Sequence, residues 1–315
     1  MGDGARDALP GRVEEFKRRS LLADLTIRLI REKPLGSVGG VIVLTLFLVG
    51  VFADFLAPYP MAEIHLRDAL QAPSAKYLLG TDEFGRDVLS RVIAGARISM
   101  IVGLAGTSLA TLVSTIIGVL SGFVGGKFDL LVQRFVDAFL CLPGLFIVLT
   151  VMAVLGPGVW QVIIVLGVRF GIAMSRVMRG AVIGIKENVY VEAGRAIGCT
   201  TWELIIRHIL PNVMAPIIVL FTVRMSNIIL MEATISFLGF GIPPPIPSWG
   251  SMISGSGRKY MLQAPWVITW PGLALSIVVY GINMFGDALR DLLDPRLRGG
   301  TGRYGKVNVK VKRSF

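Results

Sequence analysis

A chain of 315 residues that is 53% hydrophobic, with mean hydropathy +0.69, holds more apolar side chain than one soluble core of its size can bury, so the excess must face lipid. Lys and Arg outnumber Asp and Glu 32 to 21, yet they cluster at the two ends and in short segments between apolar runs, which suits a membrane better than nucleic acid. Two cysteines, Cys141 and Cys199, and two histidines, His65 and His208, exclude a disulfide framework and a metal cluster, and no metal site is expected.

In chain order, residues 12–33 interleave Val13, Phe16, Leu21, Leu25, Ile27 and Leu29 with Arg and Lys and stop at Pro34, which predicts an amphipathic helix on the inner membrane surface within a basic segment, 1–37. The stretch after it has no small-x-small cleavage pattern and reads as a retained span, not a signal peptide. A hydrocarbon core of about 30 Å needs roughly 20 apolar residues per helix. Six stretches qualify: 38–57, 98–123, 129–155, 158–178, 213–239 and 267–288. The expected fold is all-α, a polytopic membrane protein with six transmembrane helices: a first helix at 38–57, an extracytoplasmic segment at 58–97, a core at 98–288 and a basic tail at 289–315.

Lys and Arg set the orientation. The side holding both termini carries 21 of them and the opposite side 6, so both termini and the segment 179–212 are expected to be cytoplasmic. Arg97, Arg134, Arg169, Arg176 and Arg224 lie in or at the edges of spans.

The connection between spans four and five, 184–212, is too polar for lipid and too patterned for a floppy linker. It reads Glu192-Ala193-Gly194-Arg195-Ala196-Ile197-Gly198, then nine residues, then His208-Ile209-Leu210-Pro211. Helix formers precede Gly198, which can supply the left-handed turn that ends a helix. Helical spacing resumes at Trp202, and Pro211 suits the opening turn of the next span. This resembles the EAA loop of bacterial ABC importer permeases, with Glu192, Ala193, Gly198, Leu210 and Pro211 in register. Gly194 departs from the second Ala of that pattern and should loosen the helix by about 1 kcal/mol; His208 departs from its Ile, in a form similar to the peptide and nickel subfamily.

Three further segments resemble that subfamily. Leu79-Gly80-Thr81-Asp82-Glu83-Phe84-Gly85-Arg86-Asp87 offers a Gly and Asp turn before a helix. A calcium site from Asp82, Glu83 and Asp87 lacks EF-hand spacing, so turn and cap chemistry is expected instead. The second segment, Ile242-Pro243-Pro244-Pro245-Ile246-Pro247-Ser248-Trp249-Gly250, forbids a regular helix and places Trp249 for a membrane interface. The third, ending Asp294-Pro295-Arg296, closes the last span, and together the matches cover about residues 36–299.

The resemblance implies the type I ABC importer transmembrane fold and a permease that pairs with a second, homologous permease. It also implies two ABC ATPase subunits, docked on the EAA loop, and an extracytoplasmic solute-binding protein. No Walker sequence is present, so the chain is not expected to be an enzyme or to bind a cofactor; ATP and Mg belong to the partner ATPases. Short peptides are the expected cargo, with nickel or oligosaccharide as alternatives. An ion-coupled secondary transporter would show inverted repeats, and none is found.

A charge inside a span normally faces protein or water. Arg224 and Glu232 stand eight residues apart on one helical face, about 12 Å along the axis and too far to pair. With Arg169 in span four, they are the expected translocation-pathway residues.

Overall fold

The computed structural model describes residues 21–293. Residues 12–20 of the expected amphipathic helix, Asp294 and Pro295 of the closing motif, and the tail after them lie outside the described residues.

The described regular structure is helical. Helix α1 (Leu21–Glu32) leads into α2 (Pro34–Val51) and a short α3 (Ala53–Leu56). Helix α1 stops before Pro34, as expected, with Lys33 out of helical conformation, and Pro34 opens α2 in its first turn, where its missing N–H leaves no bond unmade. After a segment with one 3-10 turn at Leu66–Asp68 comes α4 (Val88–Val124), whose 37 residues span about 55 Å. It begins ten residues before the expected span because Asp87 caps it, accepting from the Ser90 amide at 2.8 Å and the Ser90 hydroxyl at 2.6 Å.

The expected span 129–155 is broken. It consists of α5 (Gly126–Cys141) and α6 (Gly144–Leu155), bent by 87°. Leu142 is forced into extended backbone (φ −82°, ψ 140°) by Pro143, which cannot continue a helix and restricts the residue before it. By length and apolarity five helices can each cross a bilayer, α2, α4, α7 (Val159–Lys186), α11 (Met214–Phe237) and α13 (Trp266–Leu293), and the bent pair makes a sixth if it is one span.

Between α7 and α11 lie α8 (Val189–Ala196), α9 (Thr201–Leu204), a π-helical stretch Ile205–Ile209 and α10 (Leu210–Asn212). Between α11 and α13 lie α12 (Trp249–Met252) and a second π-helical stretch, Ile253–Gly257.

In lipid, helices associate through close contact of small residues. The largest helix contact, α4 with α7, has this form. A Cβ on Gly118 would lie 2.6 Å from Met178 Cβ, and one on Gly171 2.6 Å from Val113 Cβ. Three apolar cores follow: one around Val102, Leu166 and Ile228; one joining α2, α4, α11 and α13 through Leu46, Met225 and Ile282; and one at the far end of α4, where Phe123, Met178 and Val191 meet Ile209.

Candidate functional site

The two ends of α4 carry the sequence motifs. At its C-terminal end, Lys186, the last residue of α7, donates to the Phe123 carbonyl at 2.5 Å, and the Arg195 guanidinium of α8 sits 5.5 Å from the centre of the Phe123 ring, fastening α8 to the same point. Asn188 opens α8 with extended backbone, and the helix ends before Gly198, whose φ of +87° suits glycine. The Gly198 amide donates to the Arg195 carbonyl and the Cys199 amide to that of Gly194, both at 3.0 Å, closing the turn as expected.

Thr200 then starts α9 with a capping box. Its hydroxyl accepts from the Glu203 amide at 3.3 Å, and its own amide donates to the Glu203 carboxylate at 2.8 Å. That bond from the Thr200 backbone, followed by one from its hydroxyl, holds the Glu203 carboxyl below its ordinary range. Pro211 falls in the first turn of α10.

The hairpin buries Val191, Gly194, Leu204, Ile205 and Ile209 and turns its other face outward. Val189 is 80% exposed, Ile197 81% and Trp202 64%, with Glu192, Ala193 and Pro211 beside them in sequence and also exposed. The Glu192 side chain makes no hydrogen bond or ion pair among the described residues. Gly194 and His208 come together: a Cβ at 194 would lie 2.8 Å from Leu204 Cδ2 and 3.7 Å from His208 Nε2.

At the other end of α4, the segment 79–91 is a fully bonded turn. Gly80 has φ +78° and Gly85 φ +74°. The buried Thr81 hydroxyl donates to the Asp68 carbonyl at 2.5 Å and accepts from the Gln71 amide at 2.8 Å. Asp82 is 3% exposed; its oxygens accept from the Phe84 and Arg86 amides at 2.9 and 3.0 Å and from Arg86 Nε at 2.7 Å, with Arg91 at 3.6 Å. With Asp87 capping α4, the acidic residues serve turn and cap.

Trp249 differs from expectation. It is 2% exposed, and its indole N–H donates to the Val92 carbonyl at 3.0 Å, because Gly95 leaves a slot on α4 that a Cβ would close to 2.8 Å. The ring therefore fixes the Pro-rich loop to α4 and is covered by protein rather than turned outward. Gly250 lets that loop cross α11, since a Cβ there would lie 2.1 Å from the Ala233 carbonyl. Pro244, Ile246, Asp82, Phe84 and Arg91 line one cleft of about 320 Å³, which brings two of the family segments together.

Sequence reasoning missed Asp68. Its carboxylate accepts from Lys76 at 2.7 Å, Tyr77 at 2.8 Å and Gln71 at 2.9 Å, a convergence from loop positions that no local pattern announces. The bond from Lys76, then that from Tyr77, holds this carboxyl below its ordinary range.

Between the two ends lie the charged residues of the spans. Glu232 is fully buried within the chain, one carboxylate oxygen accepting from the Ser236 hydroxyl at 2.7 Å and the other without a partner among the described residues. Arg169 and Arg224 are partly exposed on α7 and α11. Neither touches Glu232 among the described ion pairs and hydrogen bonds, so the structure does not bring the three together as a bonded group.

Known proteins fit this arrangement. The family model for N-terminal transmembrane domains of oligopeptide transport permease C matches residues 20–73. Among curated relatives, the dipeptide transport system permease protein of Alkalihalophilus pseudofirmus is 36% identical over 85% of this chain and 88% of its own length. The oligopeptide transport system permease protein of Bacillus subtilis is 37% identical over 90% and 92%, and the di/tripeptide transport system permease protein of Pseudomonas aeruginosa 40% identical over 84% and 89%. A solved chain of the MetNI methionine ABC transporter, in an inward-facing form, shares the fold at TM-score 0.54 and 18% identity, covering 65% of this chain and 96% of that one. The family model that matches residues 114–299 is that of the binding-protein-dependent transport system inner membrane component, and the chain belongs to this family.

Proposed function

We propose that this chain is the membrane-spanning permease subunit of an ATP-driven importer of short peptides, and that the α8–α10 hairpin is where its ATPases dock. The observation that carries the reading is the hairpin itself. It leaves the Glu192 carboxylate without a partner among the described residues, shows Val189, Ile197 and Trp202 to solvent, and is fastened to the end of α4 through Arg195 over the Phe123 ring. Its residues follow the spacing of the EAA loop, and the relatives named above are peptide permeases.

A second permease completes the pathway, with Arg169, Arg224 and Glu232 as its charged residues in this chain. Two ATPases supply ATP chemistry, and a solute-binding protein meets the opposite end, where the cleft beside Asp82 and Pro244 opens. The 21 to 6 division of Lys and Arg supports cytoplasmic termini and hairpin in a prokaryotic plasma membrane. ATP-driven closure of the ATPases would move the hairpin and, through it, the helices that line the pathway.

The test is copurification from the native membrane. The tagged chain is expected to bring down a second permease and two ATPases, and Glu192→Ala and Gly198→Asp are expected to lose the ATPases while keeping the permease. Recovery of the chain alone would sink the importer reading.

A further inference from the structure

Three of the five arginines within or beside the spans are matched by an aspartate. Arg97 donates to Asp54 at 2.9 Å, Arg176 donates to Asp137, and Arg134 lies 3.6 Å from the same carboxylate. Arg169 and Arg224 are not matched. Among the described residues neither makes a hydrogen bond or ion pair; the Arg169 guanidinium rests 4.7 Å from the centre of the neighbouring Phe170 ring, and Arg224 Nε is buried with no partner.

Their positions concentrate the charge. Arg169 lies ten residues into α7 and Arg224 ten residues into α11, each about 15 Å from the start of a helix long enough to cross the membrane, so both sit well inside it. The two helices pack together, with Leu166 and Phe170 of α7 and Leu220 and Ile228 of α11 in one apolar core, so the two guanidiniums rise from neighbouring helices. Arg169 also lies over Gly144, where a Cβ would come within 1.7 Å of its Nη2, and Gly144 is the first residue of α6, at the break in the bent pair. The positive end of the α6 dipole therefore adds to the two cations.

Such a concentration inside a membrane requires an anion, and this chain does not supply one there among the described residues. Two planar guanidiniums offer the fork that binds a carboxylate in bidentate fashion. Both side chains remain partly exposed, which suits an anion that arrives and leaves rather than a permanent buried partner.

We infer that Arg169 and Arg224 form a carboxylate subsite of the translocation pathway, taking the C-terminal carboxylate of a peptide in transit. The inference rests on the peptide-importer reading and deepens it: the free carboxylate becomes a feature the membrane subunit itself selects.

The test uses the assembled transporter in proteoliposomes, with trialanine and its C-terminal amide as probes. Arg169→Gln and Arg224→Gln are expected to lower ATP-driven trialanine uptake about tenfold, the effect of losing one charge-assisted hydrogen bond, and to leave uptake of the amide within about twofold. In the complex without its binding protein, trialanine and not the amide should slow phenylglyoxal modification of Arg169 and Arg224. Equal loss of both probes from an intact complex, or equal labelling with either probe, overturns the subsite. Loss of the partner permease from the variant complexes assigns the charges to a subunit contact and overturns it as well. A wild-type complex that takes up neither probe under ATP overturns the peptide reading beneath it.

Discussion

Gly194 and His208 both depart from the general EAA pattern, and in the folded hairpin they are neighbours. From sequence, glycine at 194 only weakens a helix. In the structure it admits Leu204, and the ring of His208 fills the space beyond, 6.3 Å from the Tyr190 ring. Ala at 194 gains about 1 kcal/mol of helix propensity and meets only the movable end of Leu204. Gly194→Ala is therefore expected to change the stability of the assembled complex by less than about 1 kcal/mol, whereas Gly194→Val overpacks the site and costs about 1–3 kcal/mol. Thermal melts of the complex check this; coincident melts for the two variants would remove Leu204 from the account. The left-handed turn at Gly198 and the helix-opening place of Pro211 were legible because each belongs to local backbone chemistry. The contact of 194 with 204 was not, since it depends on how two helices fold back on each other.

At the scale of elements, hydropathy located every apolar helix but not its ends or breaks. The start of α4 at Val88 was written in Asp87 and Ser90, a cap that hydropathy ignores. The break at Leu142-Pro143 was also written locally, yet the surrounding apolar run outweighed one proline. The segment between α3 and α4 was legible only as turns, because Asp68, Lys76, Tyr77 and Thr81 converge across loops. Its pH dependence follows from Asp68. The folded carboxyl titrates below its ordinary value of 3.8, so its contribution is present above that value and is lost as pH falls through and below it. Amide exchange corrected for intrinsic rate should show protection of residues 66–81 falling as pH drops from neutral to about pH 3, with Asp68→Asn less protected at neutral pH and flatter in its response. A wild-type profile no steeper than that of the variant would count against the carboxylate.

At the scale of the whole molecule, polar ties hold the helices in register where lipid gives apolar contacts little advantage. Asp129 of α5 accepts from Arg179 of α7 and from Ser121 of α4, whose hydroxyl also accepts from Gln133 at 3.0 Å. Removing one partner of this half-buried pair leaves the other charge uncompensated. Asp129→Asn is expected to lower the melting temperature of the complex, and Arg179→Gln in the same chain to restore part of the loss. Strict additivity of the two substitutions would show that the pair is not coupled.

Helix α4 runs for 37 residues, nearly twice the thickness of the hydrocarbon core, with Trp249 seated against one end and Arg195 of the hairpin against Phe123 at the other. Such a rod behaves as a beam. Pivoting about its midpoint, it carries its two tips in opposite directions by about 0.5 Å for each degree of tilt. A push on the hairpin thus reaches the cleft beside Asp82 as a geometric displacement, without any relay of side-chain rearrangements between them.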